Sequence, residues 1–216
     1  LRSRFNEMRV VVWNCGKTGG IDSTQAVVLE EMIDAGTGIL FTGSGGVPIL
    51  ALNYPDHRLL LKLGINWGPL NELPFVDFSL EGFPYDPVTD GFNAAGLSVA
   101  NNGYMMQKID ITSSGSTFPI IKMGGTGEIV STRTQLPNAR SIYLGFNPLI
   151  IENDTKRTGL IGKCMDWREG IVSIDRPAEA TASGDLDAYV QQPGNKLNVN
   201  VNASVSGANT SISVYN

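Results

Sequence analysis

The sequence predicts an α/β fold with a mostly parallel sheet, followed by a small antiparallel β module, and three observations support this. Residues 9–14 form a continuous apolar run, which is typical of a strand buried on both faces. A helical segment and a second apolar run at 38–41 follow with short links, and this βαβ order implies a parallel pair. Near the end of the chain, "LNVNV" at 197–201 alternates strictly, as antiparallel strands do.

The remaining elements follow from start, stop and periodicity signals. Asp22 and Gln25 have capping-box spacing before the first helix, and Gly36 is expected to end that helix in a left-handed conformation. Asp154 or Thr155 is expected to cap the last helix. We also predict short helices at 48–52 and 55–64, an antiparallel hairpin from strands 118–123 and 128–133, and a strand at 141–145.

Composition divides the chain into two domains. Residues 1–169 read as the α/β domain, with an irregular insertion at about 66–116 that is rich in Gly, Pro, Asn and aromatics. Residues 170–184 have the composition of a linker. Residues 185–216 hold three short alternating segments, which we interpret as an incomplete β module. We therefore expect the chain to be a piece of a longer protein.

Charge and the lack of a long apolar run argue against several classes of function. The chain has 216 residues, a net charge of −5 and 17% charged residues. Nucleic acids and anionic membranes are not expected partners, because they require clustered Lys and Arg. No apolar run is long enough to predict a membrane span. Cys15 and Cys164 are expected to be free thiols, with a disulfide as the alternative.

A glycine-rich turn after the second strand is the strongest candidate site. In α/β folds a strand-to-helix turn at the carboxyl edge of the sheet often carries a ligand or a nucleophile. Ser44 lies in this turn, and its small neighbours Gly43, Gly45 and Gly46 permit a sharp bend. A nucleophilic serine also needs a base, and the single histidine is His57. A structural turn is therefore the favoured interpretation, with a Ser44 nucleophile as the alternative.

Cys15 ends the first strand and is expected at the same edge. Its flexible neighbour Gly16 adds to a possible ligand-binding edge. A reactive thiol needs a lowered pKa, for which Lys17 is the local cation. A hydrolase with Ser44 or Cys15 as nucleophile, assisted by His57 or by an Asp of the insertion, is thus a second hypothesis.

The insertion contains acids and aromatics but predicts neither a metal nor a cofactor. The spacing of Asp77, Glu81, Asp86 and Asp90 matches no calcium loop, so we interpret them as solvated loop acids. The aromatics are expected to fill the core and cover the sheet edge. The alternative is a glycan- or calcium-binding surface built from the insertion.

Residues 7–169 resemble the class I glutamine amidotransferase-like domains of secreted bacterial proteins. The resemblance rests on "VVVWNCG", "MIDAG", "GILFTGSGG", "LLLKLGINW", "GFPYD", "SIYLGFNP" and "RTGLIGKCMDW". It implies a flavodoxin-like three-layer α/β/α sandwich. The family usually carries a cysteine where this chain has Ser44 and a histidine near residues 145–148, where this chain has Phe146 and Asn147. The resemblance therefore implies a domain that keeps the edge, including Asn147, without the catalytic pair.

Residues 185–216 resemble the start of the C-terminal sorting module of proteins exported by the Bacteroidetes type nine secretion system. "DLDAYV", "NKLNVNV" and "SISVYN" carry the resemblance, although Tyr189 is followed by Val-Gln-Gln-Pro-Gly where the family usually has Pro-Asn-Pro. It implies a secreted or surface-attached protein. We therefore predict a non-catalytic scaffold or recognition domain, often beside a peptidase. Its expected partners are other domains of the same protein, with a surface glycan or protein as a further possibility.

Overall fold

The computed structural model describes residues 9–16, 20–44, 58–66, 72–74, 79–95, 97, 105–111, 115–170, 186–191 and 196–201. The chain separates into two compact units, Leu1–Glu169 and Gly170–Asn216. Within the described residues, the helices of the first unit are α1 (Ser23–Asp34), α2 (Arg58–Lys62) and α3 (Asp154–Glu169), with a 3-10 turn at Pro148–Ile150. Its strands are β1 (Val10–Asn14), β2 (Gly38–Thr42), β3 (Ile65–Asn66), β4 (Glu72–Pro74), β5 (Leu80–Gly82), β6 (Asn93–Ala94), β7 (Met105–Gln107), β8 (Asp110–Ile111), β9 (Thr117–Met123), β10 (Ile129–Gln135) and β11 (Arg140–Leu144).

The main sheet is mixed and curls into a half-barrel. Its seven strands have the order β1-β2-β11-β10-β9-β5-β6. Among the described strands, only β1–β2 and β2–β11 are parallel pairs. The other four neighbouring pairs in this sheet are antiparallel. The prediction of a three-layer, flavodoxin-like α/β/α sandwich with a mostly parallel sheet is therefore wrong.

Short connections explain two of the four antiparallel pairs, β9–β10 and β10–β11. A parallel pair needs a crossover of about a dozen residues or more. The links at 124–128, between β9 and β10, and at 136–139, between β10 and β11, are too short for that. Gly125 and Gly127, at φ +84° and +74°, make the first of these turns. The predicted βαβ unit at the start of the chain is confirmed, and it does not recur among the described elements.

The elements of that βαβ unit form as predicted. Asp22 Oδ1 accepts a hydrogen bond from the Gln25 backbone N–H at 2.8 Å, and Gln25 Oε1 accepts one from the Asp22 N–H at 3.1 Å. These two bonds are the expected capping box. Gly36 follows the helix at φ +94°. The cap of α3 differs from the prediction, because Asn153 Oδ1 accepts from the Lys156 N–H at 2.9 Å, so Asn153 takes the place expected of Asp154 or Thr155.

Two sets of apolar side chains cover the sheet around β2. The larger set joins α1 and α2 to β2 and β11, through buried side chains that include Leu29, Met32, Phe41, Leu59 and Tyr143. Helix α3 packs against β2 and β11 and buries Leu160, Cys164 and Trp167. Ile161 and Met165, also expected on its apolar side, are half-buried.

In the second unit, β12 (Leu186–Gln191) and β13 (Lys196–Val201) form an antiparallel hairpin with Leu186 opposite Val201. The predicted helix at 48–52, the third alternating segment at 210–214 and nearly all of the 170–184 linker lie outside the described residues. None of the helices in the described part of the chain combines the length and apolar character that crossing a bilayer requires.

Candidate functional site

The carboxyl ends of β1, β2 and β11 meet at one edge of the sheet because these three strands are parallel. The Cys15 N–H donates to the Thr42 carbonyl at 2.9 Å, which ties the end of β1 to β2. The Gly43 N–H lies 3.1 Å from both the Leu144 and the Phe146 carbonyl oxygens, which ties β2 to β11. The backbone groups named here therefore find their hydrogen-bond partners in the neighbouring strand ends.

Gly43 lies where the ends of β1 and β2 approach each other most closely at this edge. Its φ is +114°, which side chains rarely tolerate. A Cβ at this position would lie 2.8 Å from the Gly16 oxygen, 2.9 Å from the Gly16 nitrogen and 3.2 Å from the Cys15 carbonyl carbon. Because these are backbone atoms, they cannot rotate away. The glycine therefore permits close approach of the ends of β1 and β2.

Ser44 follows Gly43 in a bend and is only 5% exposed. His57, the proposed base, lies outside the described residues, as do Gly45 and Gly46 of the same turn. The pairing of Ser44 with His57 that a hydrolase would need thus remains a prediction. What the structure does show is that Ser44 is largely covered by the folded chain.

The Cys15 thiol is buried and protonated. Cys15 is 6% exposed and packs in the apolar cluster with Ile21 and Ala26. Burial raises the pKa of the thiol to about 11, although a hydrogen bond with Trp13 acts in the opposite direction. Since the thiolate is the nucleophilic form, this environment suppresses reactivity. Lys17, the proposed activating cation, lies outside the described residues.

Tyr143 is a polar group at this site that sequence reasoning did not single out. Its ring packs against Phe41 with centroids 5.9 Å apart, and its hydroxyl is buried without a hydrogen-bond partner in the described part of the chain. Burial raises the pKa of Tyr143, and the nearby Cys15 adds to this effect. The apolar run "SIYLGF" predicts that this tyrosine is a core residue. The one signal in the sequence for a polar group here is the hydroxyl that every tyrosine carries.

Two asparagine side chains stabilise the turns of the edge. Asn14 Oδ1 accepts from the Gly16 N–H at 2.8 Å. Asn147, buried beside Phe146, accepts from the Leu149 N–H at 3.1 Å and starts the 3-10 turn. Asn147 was predicted to line a ligand-binding edge. Its side-chain oxygen caps the 3-10 turn, and its place in a ligand-binding edge stays a prediction.

The sequence predicts that all the acids of the insertion are solvated, but the structure shows that one of them is not. Asp86 is buried, and its Oδ2 receives a hydrogen bond from Arg133 Nε at 2.6 Å. Its Oδ1 accepts from the N–H groups of Val88 and Thr89 at 2.9 and 3.2 Å. Glu81 pairs with Lys122 at 3.4 Å. The solvated interpretation is therefore wrong for Asp86.

Acids and cysteines do not gather into a metal site in the described residues. Asp90 Oδ1 accepts from the Tyr85 N–H at 2.9 Å, and Asp77 lies outside these residues. No group of three or more His, Cys, Asp or Glu side chains is placed to hold a metal ion within the described ranges. Cys15 and Cys164 are both free and buried.

The aromatics of the insertion behave in different ways. Tyr85 is 84% exposed, which contradicts the expectation that it fills the core. Its backbone has a positive φ, of +62°. Phe83 and Phe92 are half-buried, whereas Trp67, Phe75, Phe78 and Tyr104 lie outside the described residues.

Comparisons with known proteins support the fold and leave the function open. No family model and no curated protein matches the chain. The cytoplasmic protein STM3548 from Salmonella typhimurium superposes with a TM-score of 0.55 at 13% identity, over 78% of this chain and 74% of that one. The β-galactosidase from Rahnella sp. R3 gives 0.52 at 15% identity over 84% of this chain. The mmIFT52 N-terminal domain gives 0.50 at 8% identity, over 78% of this chain and 80% of that domain.

These likenesses show a shared fold alone, because the identities are low. The chain spans only about a quarter of the β-galactosidase that it matches, namely 25% of its length. None of the three names concerns amidotransferases or type nine secretion, so the two resemblances drawn from the sequence stay predictions.

Proposed function

We propose that this chain is a non-catalytic scaffold or recognition domain of a secreted or cell-surface multidomain protein. The observation that carries the proposal is the state of the two candidate nucleophiles. Cys15 and Ser44 are both buried at an edge that the backbone closes. A nucleophile that acts on an external substrate must be reachable and activated, and the described surroundings of these residues provide neither condition.

The Cys15 thiol is too weak an acid to supply a nucleophilic thiolate at neutral pH. With a pKa of about 11, about one thiol in ten thousand is ionised at pH 7. Catalytic cysteines are found instead beside cations or helix N-termini, which lower the pKa. The apolar cluster around Cys15 has the opposite effect.

Residue 147 supports the same conclusion from the other side of the edge. The resembling enzymes carry a histidine near this position, whereas this chain has a buried asparagine that caps a 3-10 turn. An amide cannot act as a general base in the way that imidazole can. The edge therefore has no imidazole at the position where the resemblance would place one.

Secretion and partners are proposed from the sequence of the second unit. The alternating "KLNVNV" segment and its resemblance to sorting modules support export and surface attachment. Other domains of the same protein, a peptidase among them, would then be the natural partners. A surface glycan or protein remains a further candidate partner.

A serine-directed probe tests the proposal against the hydrolase alternative. The full 216-residue chain is treated with a fluorophosphonate, and labelled peptides are quantified by mass spectrometry, with Ser44→Ala as the matched control. We expect no labelling of Ser44 above the level of other buried serines. Stoichiometric labelling of Ser44 in the folded protein, together with ester hydrolysis that Ser44→Ala abolishes, would overturn the proposal.

A further inference from the structure

Strand β1 is the outer strand of the main sheet among the described residues, and it pairs on one side only, with β2. The Gly38 N–H donates to the Arg9 carbonyl at 3.1 Å, and the Cys15 N–H donates to the Thr42 carbonyl. In a parallel ladder alternate residues direct their backbone groups to the same neighbour. The N–H and C=O groups of Val10, Val12 and Asn14 therefore point away from β2, toward the open side of the sheet.

This edge lacks the features that normally prevent strand pairing. Natural edge strands are commonly protected by Lys, Pro, a bulge or an inward-pointing charge. Val10–Asn14 contains none of these, and its register with β2 is unbroken. The Val12 side chain is 56% exposed, whereas all five residues of β2 are buried. Within the described part of the chain, the outward backbone groups of this mostly apolar strand are thus available for a further partner.

We infer that β1 pairs with β1 of a second copy of this chain, antiparallel and about a two-fold axis at Val12. In this register Val12 faces its own counterpart, and Val10 faces Asn14. These are the residues whose backbone groups point outward, so each pair can exchange two hydrogen bonds. A shift of one residue would place inward-facing backbone groups opposite outward-facing ones.

The side chains fit the same register, which is why a second copy is the occupant. Val11 lies opposite Trp13 at the closely spaced positions, and such aromatic and β-branched pairs are favourable. Arg9 lies opposite the neutral Cys15 in this register. A two-fold interface requires a self-complementary patch, and this strand satisfies that requirement. The inference is independent of the proposed function.

Charge substitutions at Val12 test the pairing without disturbing the core. The full chain is studied under reducing conditions by sedimentation equilibrium over a range of concentrations. We expect a concentration-dependent dimer, which Val12→Lys weakens at least about tenfold because two lysines then face each other. Val27→Lys is the matched control, since Val27 is an exposed valine on α1 and should leave the dimer unchanged.

Mixing experiments separate specific pairing from a general loss of apolar surface. Val12→Lys and Val12→Glu should each be weakened alone, and an equimolar mixture should regain association through the opposite charges. A chain that stays monomeric at every concentration overturns the inference. So does a dimer that tolerates Val12→Lys, or one that Val27→Lys weakens equally.

Discussion

Replacing Gly43 with alanine should be unusually costly, because two separate penalties act at this position. The backbone at φ +114° disfavours any side chain, which costs about 1–2 kcal/mol. The new Cβ would also lie 2.8–2.9 Å from backbone atoms of Gly16, and forced overpacking of this kind costs about 1–3 kcal/mol. Together, Gly43→Ala should lower the free energy of unfolding by about 2–5 kcal/mol.

Gly125→Ala separates the two penalties. Gly125 also has a positive φ, of +84°, but a Cβ there meets no atom within 4 Å. It should therefore lose only the conformational part, about 1–2 kcal/mol. Urea unfolding followed by tryptophan fluorescence measures both variants. Equal losses for Gly43→Ala and Gly125→Ala would refute the conclusion that the ends of β1 and β2 are in close contact.

Three further predictions concern buried polar groups. Asp86→Ala should destabilise the fold by about 3–5 kcal/mol, because the mostly buried Arg133 loses its carboxylate. Adding Arg133→Met should recover much of this loss in a double-mutant cycle, and strict additivity would contradict the pairing. Tyr143→Phe removes a buried hydroxyl without a described partner, so thermal unfolding should show unchanged or higher stability, by up to about 1–2 kcal/mol; a clear loss would reveal an unrecognised partner. Folding raises the pKa of Cys15 from its ordinary value of 9.0 to about 11, so the folded state keeps a proton that the unfolded chain releases. Relative to Cys15→Ala, the wild-type protein should therefore lose about 2–3 kcal/mol of stability between about pH 9 and 11, and a pH-independent difference would count against the buried thiol.

Local signals in the sequence were sufficient to predict the βαβ unit at the start of the chain. The capping box at Asp22 and the left-handed Gly36 define α1, and the apolar runs on either side become β1 and β2. These features depend on residues a few positions apart. The meeting of Cys15 with Gly43 at one edge follows from the same parallel pair.

Long-range features could not be predicted in this way. Strand β11 lies beside β2 although a hundred residues separate them along the chain, and no local pattern specifies that neighbour. The Asp86–Arg133 pair is also distant in sequence, so Asp86 read as a solvated loop acid. The unpaired hydroxyl of Tyr143 depends on what surrounds it, which composition does not reveal.

The alkylation rate of Cys15 in the folded protein tests the central claim most directly. Iodoacetamide is added at about pH 8 to the native chain and to the chain in urea, and modification of Cys15 and Cys164 is followed by mass spectrometry. A rise in pKa from 9.0 to about 11 lowers the thiolate fraction about 100-fold, so Cys15 should react at least about 100-fold more slowly when folded. The fully buried Cys164 should be slower still when folded. Native Cys15 that reacts as fast as in urea, or faster, would show an accessible and activated thiol and contradict the claim that this edge is non-catalytic.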